Sequence, residues 1–242
     1  MSDAQSAFRP QPEVPPRRTF LRQAGALTAA SLLLAACGDD DPEPEPVATT
    51  FELPTGDAGL VAYLFLLERF SADFYQRVIT TPPSDLTSAD LALLRDIHRH
   101  ELMHRELLGS VLKENSLVND IGISNLVGVE FNYASLTLTN RQGVLTAART
   151  IEDLGTAALG GVIRLFTSTV YMQLAVRLAA VEGRHSATVR DLLQPGSFAA
   201  AEAVANTGVD AGFNQALAPA AVLTELSKYT TLPITGNGLP TT

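Results

Sequence analysis

Residues 99–106 read Arg-His-Glu-Leu-Met-His-Arg-Glu, RHELMHRE, and two chemical frames overlap in them. Counted from His100 the frame is His-Glu-x-x-His, in which two imidazoles one helical turn apart hold zinc and the glutamate between them acts as a base. Counted from Glu101 it is Glu-x-x-His, one part of a site in which carboxylates from several helices of a bundle hold two metal ions. The first frame needs one more ligand somewhere in the chain. The second needs partner glutamates on three further helices, so the choice of frame decides the fold.

The apolar pattern around RHELMHRE supplies those helices. From Leu60 to Ile79 apolar residues recur every three or four positions with no Gly or Pro, which makes a helix of about five turns. Pro82-Pro83 stops it, and Thr87 with Asp90 three residues later forms a capping start for a second helix running to about Lys113. After Asn115 the period fails through IGISNLVGVEFNYASLTLTN, a stretch too long for a tight turn, so it reads as a crossover. A third helix fits Arg141 to Phe166 and a fourth fits Ser168 to Leu193, with Pro195-Gly196 behind it. The expectation is an all-α fold: a four-helix bundle over residues 55–195 with one long crossover between helices 2 and 3. No alternating pattern is strong enough to add a sheet. The tail, residues 196–242, holds one short helix, Ala220 to Tyr229, opened by Pro219, and a frayed end.

Carboxylates stand on the apolar stripes of all four helices. Glu68 shares its face with Val61, Leu64, Ala72, Tyr75 and Ile79; Glu101 and His104 share theirs with Leu94, Ile97, Leu108 and Val111. Glu152 lines up with Leu145, Ala148, Leu159 and Ile163, and Glu182 and His185 with Leu174, Leu178, Val189 and Leu192. Left ionised and unpaired in a core, each carboxylate would cost several kcal/mol, and divalent cations are the best neutralisers. Depth along the bundle agrees with this. At about 1.5 Å per residue, Glu68 and Glu101 sit about 18–20 Å from their shared turn, and Glu152 and Glu182 lie at similar depth in the second hairpin. Chance competes poorly: the chain has four His and 13 Glu, yet two of the His follow a Glu by three residues, one on each hairpin.

Glu on one helix and Glu-x-x-His on the next, repeated twice, resembles the ferritin-like di-metal carboxylate proteins. The surrounding text, FNYASLTLTN, TAARTIEDLGTAALGG and LAAVEGRHSATVRDLL, resembles the bacterial ferritin-like proteins related to plant desiccation-associated proteins, over about Gly56 to Leu193. The resemblance implies two divalent metal ions, iron or manganese, bridged by Glu101 and Glu182, capped by Glu68 and Glu152, with one nitrogen each from His104 and His185. The second half has Val181 where the first has His100. The zinc-peptidase frame would use His100 and His104 as ligands and Glu101 as base. It has only Glu130, in the crossover, to offer as a third ligand, and it leaves Glu68, Glu152, Glu182 and His185 unexplained. His100 then flanks the site and His98 faces solvent. Tyr75 is a core residue or a redox-active neighbour of the metals, while Asp73, Glu106 and Asp153 face solvent or pair with arginines. Gly155, Gly160 and Gly161 suggest close helix packing.

The rest of the chain bounds the setting. A formal charge of −9 with no basic cluster beyond the N-terminus argues against a nucleic-acid partner. Residues 17–37, RRTFLRQAGALTAASLLLAAC, resemble a twin-arginine export signal ending in a lipobox, with cleavage before Cys37 and a lipid on its thiol. Removal of residues 1–36 takes the balance from 17 basic against 26 acidic side chains to 13 against 24, a mature charge of −11 with no transmembrane helix and no second cysteine. The acidic, Pro-rich run that follows reads as a tether over residues 37–54. The function expected is an exported, periplasmic or cell-surface protein, lipid-anchored to a membrane, with a di-iron or di-manganese centre. That centre would support oxygen or peroxide chemistry linked to stress protection. The alternatives are a metal-storing or purely structural bundle and the zinc peptidase.

Overall fold

A computed structural model describes residues 50–241. The expected export signal at 1–36, the expected lipid attachment at Cys37 and the expected tether as far as residue 49 fall outside the described residues.

Strand β1 (Phe51–Glu52) leads into α1 (Gly56–Thr80) and α2 (Ser88–Glu114). A short helix α3 (Asp120–Gly128) interrupts the crossover, and α4 (Arg141–Val162) and α5 (Thr169–Leu193) form the second hairpin. The tail holds α6 (Pro219–Leu226) and β2 (Ile234–Thr235). The four long helices make the expected bundle, packed tightest within each hairpin and joined across the middle by α1 against α4.

The helix ends follow from local chemistry. Thr87 and Asp90 make the reciprocal capping box at the start of α2, and Asn140 and Ser168 cap α4 and α5 with their side chains. α1 begins a turn earlier than the apolar pattern shows, at Gly56, and so includes Asp57. The Asp57 carboxylate accepts from the backbone amides of Thr167 and Ser168, fastening the turn between α4 and α5 to the start of α1. α4 stops at Val162, and Ile163–Leu165 form a single 3-10 turn before Phe166.

Three further differences have physical causes. The crossover is anchored by its aromatic residues: Phe131 and Tyr133 are buried against Phe70, and the Tyr133 hydroxyl donates to the Phe70 carbonyl at 2.9 Å. A two-stranded parallel sheet pairs Phe51 with Ile234 and Glu52 with Thr235, so residues 51–54, placed in the tether by composition, belong to the folded unit. The same pairing orders the end of the tail, where Ile234 and Leu239 are buried. Finally, Gly160 and Gly161 accommodate no helix. A side chain on Gly161 would meet the Leu217 carbonyl at 1.8 Å, so these glycines let the tail backbone lie directly on α4. Gly161→Ala is expected to destabilise the protein by about 2 kcal/mol despite alanine's better helix propensity, read as an earlier thermal transition with faster proteolysis of the tail.

Asp90 ties the two hairpins at one end. Besides its capping role it takes a two-pronged guanidinium bond from Arg141, at 2.8 and 2.9 Å, and these partners hold its carboxyl well below the usual range. Because the folded-state pKa is depressed, this stabilisation is fully present above about pH 4 and is lost as the pH falls through the lower folded value. Asp90→Ala is expected to cost about 3 kcal/mol in denaturant melts at pH 7, with the gap to the wild type narrowing as the pH is lowered.

Candidate metal centre

The helices set their inward-facing polar residues at one level of the bundle. Glu68 comes from α1, Glu101 and His104 from α2, Glu152 from α4, and Glu182 and His185 from α5, and all six are buried, Glu101 completely. The His104 Nδ1 lies 3.3 Å from Glu68 Oε2 and 3.0 Å from Glu182 Oε1. The His185 Nδ1 lies 2.9 Å from Glu101 Oε1, 3.6 Å from Glu182 Oε1 and 3.7 Å from Glu152 Oε2. Two groups result, each with its ligand atoms within 4.8 Å of one another: Glu68, Glu101, His104 and Glu182, and Glu101, Glu152, Glu182 and His185. Glu101 and Glu182 belong to both.

These atoms are close without being bonded to each other. Glu68 Oε2, both oxygens of Glu101, His104 Nδ1, Glu152 Oε2, Glu182 Oε1 and His185 Nδ1 are buried and have no partner in hydrogen-bond geometry. Buried polar atoms are nearly always satisfied, so a set of orphans aimed at common points is the signature of an atom between them. The donor set of oxygen and imidazole nitrogen without sulfur suits a divalent cation such as iron or manganese.

The electrostatics show what the cage does when protons are the only cations available. Burial, and then the facing carboxylates, push Glu68, Glu101 and Glu152 well above the usual carboxylate range. Burial also works to raise Glu182, but His104 and His185 overcome it and hold this carboxylate at about 2. Desolvation opposes the charge on His185, yet Glu101 and Glu182 raise it to about 11. Protons favoured on Glu68, Glu101 and Glu152 and the charge favoured on His185 offset negative charge in the cage, the task divalent cations would otherwise perform, so protons and metal compete for one site.

The neighbours of the cage refine the reading of the sequence. His100 flanks the site as expected: it is exposed, yet its Nδ1 lies 2.9 Å from His185 Nε2 and the rings are stacked. His98 does not face solvent; it is buried beside the α2 arginines with Nε2 unpartnered. Tyr75 is fully buried and its hydroxyl donates to Glu152 Oε1 at 2.5 Å, contact that helical spacing from Glu68 alone does not reveal. Asp73 pairs with Arg77, Glu106 with Arg105 and Asp153 with Arg190. Glu130 is exposed, and neither it nor His100 joins a group able to hold a metal among the described residues. Among the described residues the zinc-peptidase frame therefore lacks a third ligand.

An antiparallel bundle whose centre is a cage of four glutamates and two histidines defines a helical carboxylate protein with a site able to hold metal. The model of the family described as ferritin-like domain matches residues 56–195, more than half of the chain, and the chain belongs to that family. A search of the curated proteins finds no match.

Proposed function

We propose that the chain holds two divalent ions, iron or manganese, and uses them in redox chemistry with dioxygen or peroxide. The observation that carries this reading is the sharing of Glu101 and Glu182 between two groups of otherwise unsatisfied ligand atoms. Glu68 and His104 would complete one ion's ligands, and Glu152 and His185 the other's; such ions supply one-electron steps and the activation of small oxidants. The protein's own contribution is a dry, preorganised cage, with Tyr75 orienting Glu152 and His100 orienting the ring of His185. Gly155 lets α4 lie close beside this cage: a side chain there would meet Glu182 Oε2 at 3.7 Å. Aerobic titration with Fe(II), followed by ferric absorbance, is expected to show oxidation continuing beyond two equivalents per chain. A plateau at two equivalents would instead identify a filled, non-catalytic site.

The setting belongs to the same proposal: export through the Arg17-Arg18 signal and attachment to a membrane by a lipid on Cys37, in a stress-protective role at the cell envelope. Among the described residues no helix is long and apolar enough to cross a membrane. Cys37→Ser is expected to move the protein from the membrane fraction to the soluble fraction, and unchanged membrane association in that variant would rule out the lipid anchor.

A further inference from the structure

The cage repeats one pattern twice, but the polar side chains behind it are not repeated. Glu68, Glu101 and His104 of the first hairpin correspond to Glu152, Glu182 and His185 of the second. Tyr75 follows Glu68 by seven residues, and the residue seven after Glu152 is the buried, apolar Leu159. His100 stands immediately before Glu101, and Val181 holds the same place before Glu182.

Both polar supports come from the first hairpin and reach ligands of the second. The Tyr75 hydroxyl donates to Glu152 Oε1 at 2.5 Å, and His100 Nδ1 lies 2.9 Å from His185 Nε2 with the ring planes 9° apart. His185 turns Nδ1 to the carboxylates, so a ring that ligates through this atom keeps its proton on Nε2 and donates it to His100. Leu159 and Val181 have no group to do the same for Glu68 and His104. Among the described residues no hydrogen bond from outside the cage reaches either of these two, and Glu68 Oε2 and His104 Nδ1 are buried without a partner.

We propose that the two metal positions are unequal: the ion at Glu152 and His185 binds first and leaves last, and the ion at Glu68 and His104 is the exchangeable one. This rests on the two-ion reading and adds an order to it. A hydrogen-bond partner behind a metal ligand is worth about 10–100-fold in affinity, and here two such partners fall on the same ion.

The full chain, stripped with a chelator, is given one equivalent of Mn(II) and crystallised for anomalous diffraction. The peak is expected at Glu152 and His185. Repulsion between two cations separates the binding steps whatever the ligands do, so the position filled first is the discriminating readout. In calorimetric titration His100→Ala should weaken the first step about tenfold, and Tyr75→Phe, which keeps the ring, should weaken the same step. Val181→His places an imidazole toward His104 as His100 stands toward His185, and should tighten the second step about tenfold. Manganese divided equally between the positions, or found first at Glu68 and His104, would overturn the order and leave the two-ion centre standing, as would a His100→Ala effect confined to the second step. Manganese absent from the cage would overturn both.

Discussion

At pH 7 the entry of two divalent ions into the metal-free protein is expected to release about four protons, one each from Glu68, Glu101, Glu152 and His185. Burial and mutual repulsion favour the protonated form of the three carboxyls, and the carboxylates around His185 favour its charged ring; incoming ions would displace these protons. The sign follows directly. Protons compete for the same atoms, so affinity rises with pH and the metal leaves in acid. With about two protons displaced per ion, affinity should change about a hundredfold per ion for each pH unit near neutrality. Calorimetric titration with Mn(II) in buffers of different ionisation enthalpy measures the released protons. Binding without proton release would mean that the cage is already ionised, and that it is more open to water than its burial indicates.

Glu101→Leu should remove metal binding and yet make the metal-free protein more stable, by about 2 kcal/mol or some 5 °C in melting temperature. Glu101 is wholly buried with both oxygens unpartnered, and it belongs to both groups of ligand atoms. Its replacement by an apolar side chain of similar size relieves a desolvated polar group that only cations can satisfy. The wild type recovers the difference on loading, since ligand at a hundred times its dissociation constant stabilises by about 2.7 kcal/mol. An ordinary core residue behaves in the opposite way: its substitution lowers stability and leaves binding intact. A variant that melts lower and still takes up both ions would place Glu101 outside the site.

The cage was readable in the sequence because helical periodicity is regular. Once Leu94, Ile97, Leu108 and Val111 define a face, Glu101 and His104 fall on it, and the other helices repeat the argument. Capping chemistry is equally local, so Thr87 and Asp90 announce the start of α2. What periodicity lacks is distance information between segments far apart in the chain. The pairing of Phe51 with Ile234 joins two-residue strands too short to show any alternation. The seating of Leu217 on Gly161 depends on a tail with no period of its own. His98 illustrates a third case: its place on the α2 wheel borders the apolar stripe, and only the packing around that border decides that it is buried. The Tyr75 hydroxyl reaches Glu152 across two hairpins, which no spacing along α1 encodes.

Anomalous diffraction from crystals of the Mn(II)-loaded protein tests the central claim most directly. Two peaks are expected inside the bundle, one bonded to Glu68 and His104, the other to Glu152 and His185, and both to Glu101 and Glu182. A single peak, or manganese bound only at the protein surface with the six side chains left unligated, would contradict the account.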